Sequence, residues 1–496
     1  MKKGILSTIT ILCLVMIFPG LVSAQHGIDF YSPGFEGGIA NENEYSEMVF
    51  ITGRAILLEG TCTIKPGRMR GDVLTTNYTY KLENTEEDIK LDRRVTIETT
   101  FSKDDLQDQV IAVSKITSAK ENIRAGKNRY TLKDYQFSQS TIADENAGIS
   151  YYAGSWDGRK TYDFNRNKGE IVVSVIGEIV GQNHNWGGAE TQKVGYFLDF
   201  NGEIETGRRE WERSDWTASV ETTTSVYKTK ELTYVPNEPA WISFRGGYLQ
   251  TEQTESIMKY EYNLPRFDTL GLPTRGRRTG EGTKKLVTVP INQRLPIPDI
   301  KDINGHWAQE DIERLLSLKI FNPDGSSFGP SVNMSRGEFA YAIAKTCEML
   351  EEDKTPNNLE EPLFKDVPKG HKYFDYIQQV GKKGVISGTE LGYFSPNRPL
   401  TRGQALTIII RALGLEGLAP NPPFNTRFAD DDKIPLWAKP AIFAAREIGL
   451  VTGDSFGRVL PDQIMTKAEA AAFLNRFITF LQHDIKQEYI DRILNY

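Results

Sequence analysis

Polar and hydrophobic positions alternate along the first half of the chain. Residues 75–80, 95–100 and 219–224 show this pattern and are rich in Thr, Tyr and Val, and turn pairs such as Asn201-Gly202 separate the segments. The alternation predicts antiparallel strands that bury one face. We therefore expect residues 25–263 to form an all-β, sandwich-like region of one or two domains.

The last third of the chain follows a helical period instead. Ile312, Leu315 and Leu316 fall on one face of a predicted helix, and similar spacing recurs to about residue 480. Between the two patterns, residues 264–298 combine five prolines with a run of Arg and Lys. This composition favours an extended, semi-rigid linker, although its basic side chains would also suit an anionic polymer.

The helical part contains three copies of one unit. Asp302, Asp366 and Asp430 follow one another at a constant interval of 64 residues, and each begins the same order of motifs. Each aspartate is followed by an aromatic residue and a helix, then by a glycine-bearing loop and a second amphipathic helix. The repetition predicts an all-α C-terminal region of helix-loop-helix repeats.

The start of the second helix carries the most specific pattern. Its copies read Ser-Arg-Gly-Glu from Ser335, Thr-Arg-Gly-Gln from Thr401 and Thr-Lys-Ala-Glu from Thr466. This resembles the S-layer homology repeat, whose usual signature at this point is Thr-Arg-Ala-Glu. The resemblance implies a pseudo-threefold helical bundle that binds a secondary cell-wall polysaccharide, often one bearing ketal-linked pyruvate. It divides the region into repeats at 299–350, 363–415 and 427–480 and a C-terminal helix at 481–496.

The hydroxyl and acidic or amide positions of this motif have a structural explanation. Each hydroxyl residue stands three positions before a Glu or Gln, which is the spacing of a helix-capping box. The expected pairs are Ser335 with Glu338, Thr401 with Gln404, and Thr466 with Glu469. We therefore predict that these six residues cap the second helices.

The cations between them are not needed by a cap, and the helix dipole disfavours a positive charge there. Beside helix N-terminal amides, a cation would suit a carboxylate or a phosphate. The alternative is that each cation pairs with an aspartate of a neighbouring repeat. Two tryptophans in the aromatic position are either core residues or sugar platforms. The candidate polysaccharide-binding residues are therefore Arg336, Arg402, Lys467, Asp302, Asp366, Asp430, Trp307 and Trp437.

Composition excludes two classes of protein, and the first residues predict export. The chain has 496 residues, a formal net charge of −7 and 3 cysteines, which excludes a disulfide-stapled scaffold and argues against a generic nucleic-acid binder. Residues 1–24 combine two lysines, an apolar run and small residues before Gln25, which predicts a cleaved signal peptide. A retained membrane anchor is the alternative. After cleavage we expect no disulfide and no membrane span, because only Cys62 and Cys347 remain and no other segment is long and apolar.

Catalytic motifs are weak. Two Gly-x-Ser-x-Gly segments, 325–329 and 453–457, lie in loops between predicted helices, whereas a nucleophile elbow requires a strand-to-helix turn. The five histidines lack zinc-ligand spacing, and no phosphate-binding loop appears. We therefore assign no catalytic residue, metal or cofactor. Residues 182–188 group amides around Trp186, as in an ordinary surface loop or a sugar site.

These observations predict a non-enzymatic, exported cell-surface protein. Its repeats would hold an anionic secondary polysaccharide attached to peptidoglycan, while the β-rich region is displayed outward. The alternatives are a wall-anchored hydrolase or glycan-binding protein whose activity lies in residues 25–263, and a surface-array subunit that associates laterally.

Overall fold

The computed structural model describes residues 38–41, 44–104, 109–208, 210–236, 246–323, 325–349, 361–389 and 392–485. The predicted signal peptide, residues 1–24, lies outside these ranges, as does most of the predicted C-terminal helix. The described residues form a β region up to Pro296 and a helical region from Lys301.

A single antiparallel sheet makes up the β region. Its strands are β1 (Ile39–Asn41), β2 (Glu44–Val49), β3 (Ile56–Pro66), β4 (Val73–Asn84), β5 (Ile89–Asp104), β6 (Gln109–Ala125), β7 (Asn128–Glu145), β8 (Ser150–Phe164), β9 (Gly169–His184), β10 (Gly187–Gly207), β11 (Glu210–Val235), β12 (Gly247–Phe267), β13 (Pro273–Val287) and β14 (Ile291–Pro296). Each strand from β1 to β13 pairs with the next in sequence, and β14 pairs with β12. The all-β prediction is confirmed, but one sheet replaces the expected sandwich.

The sheet curls until its first strands approach its last ones and is nearly closed. Ser256 Oγ in β12 donates to Ala40 O in β1 at 3.4 Å, and Lys284 Nζ in β13 lies 2.6 Å from the Glu59 carboxylate in β3. Strands of up to 26 residues accumulate enough twist and coiling to bring the edges together. The enclosed face is filled by large side chains, among them Phe164, Phe200 and Trp216.

The predicted linker at 264–298 is wrong, because these residues complete β12 and form β13 and β14. Proline is tolerated at strand ends and irregularities, where no ladder donor is required. Pro273 begins β13, Pro296 ends β14, and Pro265 stands at a register shift between β12 and β13. The basic run therefore belongs to an ordered hairpin.

The helical region has two α-helices in each repeat. They are α1 (Gln309–Ser317), α2 (Arg336–Thr346), α3 (Phe374–Lys382), α4 (Arg402–Leu413), α5 (Lys439–Glu447) and α6 (Lys467–Thr479). Short 3-10 turns occur at Lys301–Ile303, Glu416–Leu418 and Asp431–Lys433, and a π-helical turn at Phe480–Asp484 follows α6. Within the described ranges, none of these helices has the length and apolar character needed to traverse a membrane.

The second helix of each repeat packs on the first helix of the next. α2 contacts α3, α4 contacts α5, and α6 contacts α1. Three backbone hydrogen bonds also link the repeats in a cycle, donated from Met334 N to Met465 O at 2.9 Å, from Met465 N to Leu400 O at 3.0 Å, and from Leu400 N to Met334 O at 2.8 Å. The three units are thus joined in a closed cycle.

One end of the sheet docks on the helical region at the C-terminal ends of α2, α4 and α6. The contacts are Trp186 Nε1 to Thr346 O at 3.0 Å, Gly148 N to Ala412 O at 2.7 Å, and Gln482 Nε2, just after α6, to Lys230 O. The last turn of a helix leaves carbonyl groups without intrahelical partners, and here the sheet turns supply donors to two of them. The opposite ends of these helices, where the cations lie, stay clear of these contacts.

Candidate functional site

The three aspartates that begin the repeats bind the loop of their own repeat. Each carboxylate accepts two backbone N–H groups at 2.7–2.9 Å, namely those of Phe328 and Gly329 at Asp302, Phe394 and Ser395 at Asp366, and Val459 and Leu460 at Asp430. At Asp302, burial opposes ionisation, but these amides and the Ser327 hydroxyl outweigh it and lower the pKa. The aspartates therefore hold loops and form no ion pair with Arg336, Arg402 or Lys467 in the described part of the chain.

Capping boxes occupy the start of all three second helices. Ser335, Thr401 and Thr466 each accept from the N3 amide, and the N3 side chain accepts from the cap residue in return. The next two amides are also used, because Arg336 N and Gly337 N donate to loop carbonyls of repeat 2 at 3.0 and 2.8 Å. The corresponding amides of α4 and α6 do the same with the neighbouring repeat. The expectation of free helix N-terminal amides for an anion is therefore wrong.

Arg336 connects repeats 1 and 2. Its side chain is buried, and Nε and Nη2 donate to Phe394 O at 3.0 Å and Ser387 O at 3.1 Å. The guanidinium also lies over the Phe394 ring, 4.9 Å from its centroid. Burial, followed by the nearby Arg398 charge, lowers the pKa of Arg336 to about 10. Its hydrogen bonds make it a structural residue of the repeat interface.

Lys467 connects repeats 3 and 1 through a carboxylate. Its Nζ lies 2.9 Å from Glu338 Oε1 and 6.0 Å from the centroid of the Phe328 ring. Burial would raise the pKa of Glu338, but the hydrogen bond and charge of Lys467 outweigh it and lower the pKa. Glu338 thus serves the capping box and the interface together.

Arg402 occupies the same position but lacks such partners. Its Nε is buried without a hydrogen-bond partner among the described residues. The loop of repeat 3 carries Val459 where the other two loops carry Phe328 and Phe394, so no ring is available to the guanidinium. Burial and the charge of Arg476 lower the pKa of Arg402. Of the three cations, Arg402 is the one with a buried nitrogen that has no hydrogen-bond partner among the described residues.

A groove of about 360 Å³ lies between α6 and α1, and we call it the Trp307 groove. Its lining includes Trp307, Asp311, Arg314, Ala472, Asn475 and Arg476. The Trp307 side chain is 67% exposed, so it is not a core residue. Arg314 Nε and Asn475 Oδ1 are buried and have no partner within the described ranges. The groove therefore joins an open aromatic face to two arginines, the carboxylates of Asp311 and Asp484, and unsatisfied polar atoms.

A related groove of about 270 Å³ lies between α2 and α3, and we call it the Tyr341 groove. Tyr341 packs against Tyr373 and Tyr376 with ring centroids 5.6 and 4.7 Å apart, and Lys467 contributes its cation. Burial and these neighbouring tyrosines raise the pKa of Tyr341 to about 12. Both grooves lie between the second helix of one repeat and the first helix of the next, but the Tyr341 groove is lined by the start of α2 and the Trp307 groove by the C-terminal half of α6.

Two further tryptophans named from the sequence, Trp437 and Trp186, are a surface residue and an interface residue respectively. Trp437 is 50% exposed at the start of α5, while Trp186 is only 3% exposed and packs with the helical core. The 182–188 segment is therefore neither a sugar site nor an ordinary surface loop, because its indole is buried where the sheet docks on the helices. Sequence reasoning found Trp307 but missed Arg314, Asn475 and Arg476. Nothing local in the sequence indicates that α6 packs on α1.

Comparison with known families assigns the repeats. The S-layer homology domain profile matches residues 299–340, 363–406 and 427–471. The C-terminal region carries three S-layer homology domains. No family profile matches the N-terminal β region.

Curated relatives share only part of their length with this chain. The exoglucanase XynX of Acetivibrio thermocellus is 32% identical over 200 residues, which cover 40% of this chain and 18% of the relative. The surface-layer 125 kDa protein of Lysinibacillus sphaericus is 28% identical over 38% of this chain and 16% of its own length. The S-layer protein sap of Bacillus anthracis is 30% identical over 34% of this chain and 20% of its own length. The S-layer homology domains and these surface-layer relatives indicate a location at the cell surface.

Proposed function

We propose that the S-layer homology domains hold this protein to the cell wall by binding an anionic secondary polysaccharide in the grooves between repeats. The Trp307 groove is the observation that carries this proposal. Its exposed indole presents an apolar face on which a sugar ring stacks, as aromatic platforms do with ligand rings. Arg476, which is exposed at the rim, and Arg314 supply donors for a carboxylate such as that of ketal-linked pyruvate.

The site must act locally rather than through bulk charge. A chain with a formal net charge of −7 repels a polyanion at long range, so attraction depends on a few placed cations. Arg314 Nε and Asn475 Oδ1 support this proposal, because a buried polar atom without a partner costs free energy that a ligand recovers.

The closed packing cycle supports a pseudo-threefold bundle with equivalent grooves. The side chains in those grooves differ, since the Tyr341 groove offers tyrosines and Lys467 where the Trp307 groove offers an indole and arginines. We propose that the Trp307 groove is the principal site and that the Tyr341 groove supports it. Since the sheet docks at the C-terminal helix ends, the β region projects away from the N-terminal ends that carry Arg336, Arg402 and Lys467.

For the β region we propose display or binding rather than catalysis. Its enclosed face holds apolar and aromatic side chains together with the mutually paired buried charges of Arg93, Glu121 and Lys160. The activity named for XynX belongs to a relative of which only 18% of the length is matched. A surface-array subunit remains the competing role, and sedimentation of the purified protein at high concentration distinguishes them, because an array subunit would assemble.

Anchoring is tested by sedimentation of the full chain with purified walls, before and after chemical removal of the secondary polymer. The proposal expects binding to intact walls and its loss on stripped walls. Trp307→Ala should reduce binding, whereas Trp211→Ala removes a partly exposed indole on the sheet and should not. Full binding to stripped walls would overturn the polymer-specific proposal.

A further inference from the structure

A basic surface lies on the β12–β13 hairpin, far from the S-layer homology domains. It consists of four exposed arginines, Arg266, Arg275, Arg277 and Arg278, and we call it the arginine hairpin. The other end of β12 touches the repeats, where Tyr248 Oη donates to Glu310 O at 3.4 Å. Phe267, at the end of β12, lies about 60 Å from that contact when measured along the strand at about 3.3 Å per residue.

Arg277 is held in place by neutral acceptors. Nε and Nη2 donate to the side-chain and backbone oxygens of Asn263, each at 2.7 Å, and Nη1 donates to Thr217 O at 2.8 Å. A guanidinium has five N–H donors, so two remain unused by these bonds. No carboxylate pairs with Arg277 in the described part of the chain. A fixed, exposed guanidinium of this kind is preorganised for a bidentate contact with an oxoanion.

The acidic residue within the hairpin does not neutralise it. Asp268 Oδ1 accepts the N–H groups of Leu270 and Leu272 at 2.9 Å each, and so is used in forming the turn. Arg275 and Arg278 likewise have no ion pair among the described residues. The hairpin therefore keeps a local positive potential on an acidic chain.

The arrangement suits a chain of anions better than one small anion or a lipid surface. Side chains alternate between the two faces of a strand, so Arg277 and Arg278 point to opposite faces of β13, and a chain of oxoanions that passes around the hairpin can contact both whereas one small anion cannot. Leu270, which is 51% exposed, is the one large apolar side chain that the described hairpin residues expose to this degree. A membrane-binding hairpin needs more apolar area to insert.

We propose that the arginine hairpin binds an anionic glycan, as a second polymer contact independent of the Trp307 groove. The partner carries carboxylate or phosphate groups along its chain. With contacts at both ends of the molecule, one protein would bridge two polymer chains.

Affinity electrophoresis of the full chain tests this, using polygalacturonate as the carboxylate probe, glycerol teichoic acid as the phosphate probe and dextran as the uncharged control. We expect retardation by at least one anionic probe, weakened by salt, and at least a tenfold loss of affinity in the Arg275→Gln/Arg278→Gln variant. The matched control is Lys115→Gln/Lys193→Gln, which removes the same charge from exposed lysines paired with Glu98 and Glu221.

Three results would overturn the proposal. They are an equal loss in the lysine control, no retardation of the wild type, and binding to anionic lipid vesicles without binding to either polymer. Arg476→Ala separates this surface from the groove. If it abolishes probe binding and the arginine variant has no effect, the hairpin proposal fails and the groove stands. A loss of probe affinity in the Arg275→Gln/Arg278→Gln variant alone supports binding at the arginine hairpin, whatever ligand the Trp307 groove binds.

Discussion

At the residue scale, Arg336 and Arg402 show that one motif position has different roles in different repeats. Both follow a capping hydroxyl, yet Arg336 donates to two carbonyls and lies over a ring, whereas the Nε of Arg402 has no partner in the described ranges. The cause is the loop of the next repeat. This loop places the Phe394 ring under Arg336, whereas the corresponding loop beside Arg402 carries Val459, which has no ring. Sequence reasoning treated the two arginines alike because the contrast depends on residues about 60 positions away.

We expect Arg336→Ala to lower the free energy of unfolding by about 3 kcal/mol, since it leaves two carbonyls without a charged donor. Arg402→Ala should cost less than about 1 kcal/mol, because it removes an unsatisfied N–H, and should weaken wall binding instead, because its charge adds to that of the nearby Arg476 in the Trp307 groove. Urea unfolding and wall sedimentation measure the two effects. Similar stability losses in both variants with unchanged binding would contradict this division.

A second prediction concerns a buried charge group inside the sheet. Glu121 accepts from Arg93 Nε at 2.8 Å and lies 3.4 Å from Lys160 Nζ. Burial alone would raise the pKa of Glu121, but the charges of Arg93 and Lys160 outweigh it and lower the pKa to about 2. A lowered pKa means that the ionised form stabilises the fold above its ordinary value of about 4.3, and that this contribution is lost as pH falls toward 2.

Glu121→Gln should therefore flatten the acid limb of stability between about pH 4.5 and 2 and cost about 3–5 kcal/mol at neutral pH. Glu98→Gln is the control, because its partner Lys115 is exposed and such pairs contribute little. Unfolding measured across pH tests both variants. An acid limb unchanged by Glu121→Gln would contradict the assignment.

At the element scale, local sequence signals were sufficient to predict where the second helices begin but insufficient to predict how the strands pair into a sheet. The hydroxyl-to-Glu or Gln spacing fixes where α2, α4 and α6 begin, because a capping box is made within four residues. The linker prediction failed because proline content was given more weight than position, and Pro273 and Pro296 stand where a strand tolerates them. Whether β strands form one curled sheet or two packed sheets depends on long-range register, which alternation does not encode.

Docking of the sheet on the helices also escaped sequence reasoning, since an indole in a Gly- and Asn-rich turn has no local sign of burial. Trp186→Ala should lower stability by about 3–5 kcal/mol, as expected for a buried Trp, and separate the unfolding of the two regions. Differential scanning calorimetry should then show a second transition. Trp211→Ala is the control, and an unaltered profile for Trp186→Ala would contradict the role of this contact.

At the scale of the whole molecule, the S-layer homology domains and the β region form one assembly with distinct ends. The sheet contacts the C-terminal ends of α2, α4 and α6, and the arginine hairpin lies at the far end of the sheet. Under the proposed function an acidic chain must bind a polyanion through locally placed cations, and Arg314, Arg476 and the hairpin arginines are the residues to which we assign this role. The resemblance of the repeats predicted the S-layer homology domains and the cell-surface location, but the residues of the Trp307 groove come together only through the packing of α6 on α1.

The affinity of the purified secondary wall polysaccharide, measured by titration calorimetry, tests the central claim most directly. Arg476→Ala should bind at least tenfold more weakly than the wild type, with an unchanged melting temperature because the side chain is exposed. Arg213→Ala removes an exposed arginine from the sheet, where it pairs with Asp215, and should retain wild-type affinity. Equal affinity of the wild type and Arg476→Ala would contradict binding in the Trp307 groove.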